Sequence, residues 1–477
     1  MEKDGFCTQL RQGKYMLLKK IIIGIFFLVA GCQQAFANDF YIGGGVGASS
    51  NNDEQKTTTQ GQAPITHDLG ATGVSGSVLG GYEFDFNNKF NLGLEPFFTI
   101  APQKITLGQD PPSETLPDRK AEYSLRYAYG IRALPGYKIQ PNVTGYAIVG
   151  VVRGSFSLKD SGAYSCTSTR YDAFGYELGL GSSIALLKNL DARLDFTYTQ
   201  YARHTTDGIS TYGSLAGNPM SYRDSPSSFS AMFVLVYKFL SDTRAYDVKK
   251  DNKKCSFDNN SSGYHAFANN FYVGAGIGAT NCADTQLITA PAAPSAAPTT
   301  HDYSGVGLLG SWFAGYNMDL FKRFNLGLEF FFTESNNQIG VDDISVNPAT
   351  LGQPITSMKI SQKYAYGVRM LPGYKITPDV DGHLIIGYSR GTFRLRDDGA
   401  YALAETDFGV NGLQYGLGFS VGFWKNLALR LDFIYTQYPH EHYTTSGPLP
   451  SVPSPGNASY YDSLSTLDGV LSLTCKF

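Results

Sequence analysis

The chain has 477 residues, with 38 Lys plus Arg against 41 Asp plus Glu, a formal net charge of −3. That near-balance excludes a basic nucleic-acid binder, and no interior run approaches the roughly 20 consecutive apolar residues of a membrane helix. Only 17% of residues are charged while 14% are aromatic, with 53 Gly, a composition that points to alternating strands.

The N-terminus reads as an export signal. Lys19 and Lys20 precede an apolar run over 21–30, and Ala35-Phe36-Ala37 follows as a small-x-small site. This order of basic, apolar and small segments predicts cleavage between Ala37 and Asn38, and the apolar core is too short to span a bilayer. A rival reading is a lipobox at Val29-Ala30-Gly31-Cys32, with Cys32 lipidated. The other cysteines show no CxxC or regular spacing, so neither a disulfide framework nor a zinc site is expected.

Beyond the signal the chain is one unit written twice. Phe40-Tyr41-Ile42-Gly43-Gly44-Gly45-Val46-Gly47 returns as Phe271-Tyr272-Val273-Gly274-Ala275-Gly276-Ile277-Gly278. Leu134-Pro135-Gly136-Tyr137-Lys138 returns as Leu371-Pro372-Gly373-Tyr374-Lys375, and Arg193-Leu194-Asp195-Phe196 as Arg430-Leu431-Asp432-Phe433. The order is kept through both halves. The expected division is a signal at 1–37, a first barrel repeat at 38–240, a polar periplasmic linker at 241–268 and a second repeat at 269–477.

Eight strands are expected in each half, in the first near 40–48, 74–86, 90–98, 123–138, 144–156, 175–186, 190–201 and 229–239. Leu190, Ala192, Leu194, Phe196 and Tyr198 alternate with Asp191, Arg193, Asp195, Thr197 and Thr199. Period two, with apolar residues on one face and Gly, Ser or charge on the other, is the strand signature. Arg opposite Asp and Glu amid glycines suits a narrow polar interior with lipid outside. Short connections near 87–89, 139–142 and 187–189 alternate with long ones at 49–67, 101–120, 157–172 and 202–227, as in outer-membrane barrels. Arg126, Arg132, Glu83, Asp85, Glu95, Arg193 and Asp195 are read as a buried charge network that fills the lumen.

Both halves close on an alternating strand, Phe229 to Phe239 and Leu467 to Phe477. With the Phe-Tyr-x-Gly-x-Gly opening and the export signal, each half resembles the opacity-type surface antigens, a family of small outer-membrane β-barrels. The resemblance implies an all-β, transmembrane, up-and-down antiparallel barrel in the outer membrane of a Gram-negative bacterium. It also implies that Phe477, Lys476, Leu473 and Leu471 form the signal read by the outer-membrane assembly machinery. Two tandem eight-stranded barrels are expected, the alternative being one sixteen-stranded barrel. Each copy has its own opening and closing strands, whose edges must be paired in lipid.

Catalytic signals are few. Gly43-Gly44-Gly45-Val46-Gly47 lacks the βαβ unit of a dinucleotide loop. His440-Glu441-His442 has no further ligand to complete a metal site. His67-Asp68 and His301-Asp302 recur at matched positions, but no Ser or Cys nucleophile accompanies them; they read as hydrogen-bonded pairs at a strand end. No catalytic residue, cofactor or metal is expected. The leading function is a non-enzymatic surface protein whose long external loops meet a host or cell-surface ligand. The alternatives are a porin-like channel and a lipid-modifying barrel enzyme.

Overall fold

The computed structural model describes residues 40–239 and 269–477, apart from 61–63, 87–88, 109–119, 141, 161–167, 188, 210–216, 290–298, 322, 344–355, 378, 398–405, 425, 440 and 445–458. The segment expected as a signal, with Cys32, Ala37 and Asn38, and the linker expected at 241–268, lie outside the described residues.

All pairing is antiparallel. In the first half β1 (Phe40–Thr59), β2 (Ile65–Asp85) and β3 (Phe90–Ile100), the last extended by β4 (Lys104–Gly108), are followed by β5 (Lys120–Gln140), β6 (Val143–Asp160) and β7 (Ser168–Leu187). Then come β8 (Leu190–Tyr201), its extension β9 (His204–Ile209), and β10 (Pro219–Asp224) leading into β11 (Pro226–Lys238). β11 pairs with β8 on one side and with β1 on the other, Val46 opposite Phe233. Eight wall positions therefore close into a ring.

The second half repeats this with β12 (Asn270–Thr289), β13 (Thr299–Asp319), β14 (Phe324–Ser335) and β15 (Ile339–Asp343). It continues through β16 (Thr356–Thr377), β17 (Val380–Asp397), β18 (Thr406–Trp424), β19 (Leu427–Gln437), β20 (Glu441–Thr444) and β21 (Ser459–Lys476). β21 closes on β12, Ile277 opposite Leu471. The protein is thus two eight-stranded barrels.

The pleat explains the composition. Outward positions such as Val46, Val74, Phe174, Ile277 and Phe330 are exposed apolar side chains, suited to a hydrocarbon solvent. Inward positions near the closing seam are glycine because the paired strand comes too close for a side chain: a Cβ on Gly47 would overlap the Ala231 carbonyl of β11. The longer strands have about 20 residues; at about 3.3 Å per residue and a tilt near 40° they rise about 50 Å, twice the roughly 25 Å apolar band. The half nearest the short turns spans the membrane and the other half projects beyond it.

Two sequence expectations change here. The segments 49–67 and 157–172, read as loops, are mostly strand, since β1 runs to Thr59, β2 starts at Ile65, β6 runs to Asp160 and β7 starts at Ser168. Along 49–53 both backbone edges find partners and Ser49, Asn51 and Asp53 are buried, while 155–159 and 168–172 pair with each other. Arg126 does not join the lumen charges. A register shift between Leu125 and Tyr127 turns Leu125 inward and leaves Arg126 exposed, its guanidinium 5.8 Å from the Tyr127 ring centroid.

The projecting rims of the two barrels exchange partners. β3 leaves β2 at Gly76 and β14 leaves β13 at Leu309, so the upper edges of β2 and β13 are open to pairing. They meet each other at Leu69–Tyr303. Beyond that point His67 of β2 pairs with Val341 of β15, and His301 of β13 pairs with Leu107 of β4. The exchange is reciprocal, because His67 and His301, and Leu107 and Val341, hold matched positions in the two halves. Asp68 Oδ2 accepts from the Gly340 N–H at 2.7 Å and Asp302 Oδ2 from the Thr106 N–H at 2.8 Å. Ser304 Oγ donates to Asn52 Oδ1 and, at 3.2 Å, to the Leu69 carbonyl; a Cβ on Gly70 would collide with that hydroxyl. Two eight-membered rings in the membrane therefore share one sixteen-membered outer circuit.

Lower down, the barrels touch through outward side chains at matched positions. Phe196 and Phe433 pack with ring centroids 5.8 Å apart, inside a buried apolar cluster with Leu194, Phe229, Ala231 and Leu467. The contacts at both levels are those of a local twofold axis along the barrel axes.

Candidate functional site

Each lumen is crossed by a charged layer. In the first barrel β3 supplies Glu95, β5 Arg132, β7 Glu177 and β8 both Arg193 and Asp195, all inward residues of alternating strands. Arg132 Nε donates to Glu95 Oε1 at 2.6 Å, Nη1 to Glu177 Oε1 at 3.3 Å and Nη2 to Asp195 Oδ2 at 3.1 Å. Arg193 donates to Glu95 Oε2 at 2.6 Å, to Asp195 Oδ2 at 2.7 Å and to the Tyr146 hydroxyl at 3.0 Å. Tyr146 in turn donates to Asp195. Five charged side chains are thus buried together with their forks satisfied, the condition under which buried ions are tolerated.

The second barrel builds the layer differently. Arg430 Nη1 donates to Glu329 Oε2 at 2.5 Å and its Nε lies 2.7 Å from Asp432 Oδ2. Arg369 pairs with Glu329 at 3.5 Å but gives its Nε to Gln414 at 2.8 Å. Gln414 stands where the first barrel has Glu177, and His383, 3.0 Å from Asp432, where it has Tyr146. Tyr272 donates to Glu329 at 3.1 Å.

Around the first layer the lumen is almost full. The voids bordering Arg193 on one side and Arg132 on the other measure about 40 Å³ each, space for one or two waters. Glu83 and Asp85, expected in the same network, sit apart from it toward the short turns: Lys238 bridges Glu83 at 3.0 Å and Asp191 at 2.8 Å, and Lys138 pairs with Asp85 at 2.9 Å. Sequence reasoning missed Tyr146 and Glu177. The signal for Glu177 was available, since it alternates in phase with Gly175 and Gly179 on an inward face.

A second polar cluster lies in the projecting rim. Asp53 and Asp224 are fully buried side by side. Gln55 Nε2 donates to Asp224 Oδ1 at 3.0 Å and the Ser225 N–H to Asp53 Oδ1 at 2.8 Å. The matched residues Asp284, Asp462 and Gln286 repeat it, Gln286 Nε2 donating to Asp462 Oδ1 at 3.0 Å. Burial raises the carboxyls of Asp53 and Asp284 well above the usual range, helped by the charge of the neighbouring aspartate. Burial pushes Asp462 up to about 6.

The other sequence candidates fall as follows. His67-Asp68 and His301-Asp302 form the rim exchange, with the aspartates accepting backbone N–H groups from the opposite barrel. His440 lies outside the described residues, while Glu441 and His442 belong to β20, paired with Asp462 and Tyr461. Among the described residues no group of three His, Cys, Asp or Glu is placed to hold a metal ion. Leu471, Leu473 and Phe477 face outward and are exposed, and Lys476 is buried toward the lumen. The Phe477 N–H donates to the Phe271 carbonyl at 2.9 Å, as Phe239 does to Phe40 at 2.9 Å.

Comparison with known proteins gives a family match. The model for the outer membrane protein beta-barrel domain matches residues 23–233 and again 261–448. No curated protein matches the chain. Among solved structures, Neisserial surface protein A is 14% identical over 42% of this chain and 96% of its own, TM-score 0.24. Ail, the attachment invasion locus protein of Yersinia pestis, is 15% identical over 40% of this chain and 98% of its own, TM-score 0.20. The Pseudomonas putida toluene transporter TodX is 10% identical over 92% of this chain and 90% of its own, TM-score 0.26. At these TM-scores none of the three carries weight for function.

Proposed function

The chain belongs to the outer membrane protein beta-barrel domain family and resides in the outer membrane of a Gram-negative bacterium, and we propose that it is an opacity-type, non-enzymatic surface protein built from two tandem copies. In this reading 1–37 is removed between Ala37 and Asn38, the copies occupy 38–240 and 269–477, and 241–268 links them on the periplasmic side. The joined outer rim and the segments it carries are the working surface, meeting a host or cell-surface ligand. The observation that carries the reading is the filled first lumen, where two Arg and three carboxylates leave voids of only about 40 Å³ while the walls continue outside. A wall raised about 25 Å beyond the apolar band serves presentation, and a plugged lumen does not serve passage.

The test replaces 109–119 and 344–355 with Gly/Ser segments of equal length in the full chain. Folded variant should reach the surface but lose attachment to host cells and to arrayed glycans. Conductance of the unaltered protein in planar bilayers at the level of an open pore would instead favour the channel alternative.

A further inference from the structure

The barrels touch along a line, so crevices open beside it. One is walled by Phe90, Pro135, Tyr137 and Ala147 of the first barrel and by Leu471 of the second, and encloses about 670 Å³. The other is walled by Phe324, Pro372, Tyr374 and Leu384 of the second barrel and by Phe233 of the first, and encloses about 790 Å³. These five wall residues are matched position for position, Leu471 with Phe233 included, and Phe419, Val421, Leu429 and Leu431 of the second barrel further wall the first crevice. We propose that these are two equivalent glycerophospholipid sites, each seating an acyl chain between the barrels with the phosphate at the cation on its lip, Lys89 or Arg323.

Four observations support this. The crevices lie by the short turns, which in outer-membrane barrels face the periplasm, so the adjacent leaflet is phospholipid. Their walls are outward apolar side chains, which offer water no partners, and an empty space of this size forfeits dispersion contacts on every wall. The volumes fall within the roughly 300–1,000 Å³ of ordinary ligand sites, and neither wall can collapse inward without breaking the Phe196–Phe433 contact. A cation stands at the same point of each lip. Lys89 directly precedes the wall residue Phe90 and Arg323 precedes Phe324; their carbonyls accept from the N–H groups of Lys138 and Lys375 at 2.7 and 2.8 Å. The Arg323 guanidinium also donates to the hydroxyl of the wall residue Tyr374 at 3.0 Å. Both side chains are exposed, as a headgroup contact requires.

The full chain, reconstituted with dioleoyl phosphatidylglycerol and released from detergent in native mass spectrometry, should keep two lipids. Ala147→Trp and Leu384→Trp should each reduce the number to one, and the pair together to none. Lys89→Glu with Arg323→Glu, at exposed positions outside the apolar walls, should cut phosphatidylglycerol retention at least fivefold and leave dioleoylglycerol retention unchanged. Folding is read separately from the heat-dependent gel shift; if the tryptophan variants do not fold, the lip variants decide. Retention of no lipid, a broad count that the folded tryptophan variants leave unaltered, or unchanged retention by the lip variants would overturn the proposal.

Discussion

The two charged layers occupy the same depth and use the same Glu and Arg framework, yet they are charged differently. The first sets Arg132 and Arg193 against Glu95, Glu177 and Asp195; the second sets Arg369 and Arg430 against Glu329 and Asp432 alone, with Gln414 and His383 completing the contacts. What both preserve is a Glu that touches both arginines, not the count of charges. In the first barrel each arginine has more than one carboxylate. In the second, Glu329 is the one carboxylate that touches both arginines, so the second layer has less redundancy.

The largest effect should come from that difference. Glu329→Gln leaves Arg369 without a carboxylate contact, a loss of about 3–5 kcal/mol for a broken buried pair. Glu95→Gln leaves Arg132 with Glu177 and Asp195, and should cost about 1–3 kcal/mol. The midpoint of the heat-dependent gel shift measures both, and an equal drop would refute the redundancy argument. Next come the rim acceptors. Asp68→Ala and Asp302→Ala each orphan one backbone N–H, about 1–3 kcal/mol, and should each raise protease nicking of the rim; no increase from either would break the description of the exchange.

The rim acids predict a pH dependence. The folded protein holds the Asp462 proton more tightly than the unfolded chain does, so its contribution is complete below about pH 4 and lost as pH rises through about 6. Asp462→Asn should remove that slope, worth up to about 3 kcal/mol, in hydrogen exchange of β20 and β21 between pH 4 and 8. The same decline in the variant would assign the slope to another group. Smallest of all should be Glu177→Gln, which makes the first layer resemble the second. It should shift the gel midpoint by the equivalent of less than about 1 kcal/mol, and a loss as large as that of Glu329→Gln would mean that charge count does matter.

Period-two alternation made the membrane-embedded half of each barrel legible, because in lipid the outward face must be apolar at every second residue. The rim was not legible by the same rule. There both faces can be polar, so Ser49, Asn51 and Asp53 resembled loop residues although paired backbone and burial make them strand. The exposed position of Arg126 is not legible because a register shift has no pattern of its own. The recurrence of His67-Asp68 as His301-Asp302 did mark a site, but its meaning required knowing that the edges of β2 and β13 meet. Sequence spacing records which residues are repeated, not which repeat they touch.

That shared collar has a mechanical consequence. Two cylinders joined only by a flexible tether would spin and drift independently in the plane of the bilayer. Here the strand tops are interleaved above the membrane and the phenylalanines are clasped within it, so torque on one cylinder is transmitted to the other. The pair must diffuse as a single oblong body with a fixed long axis, presenting its outer segments to any approaching surface at one constant mutual orientation.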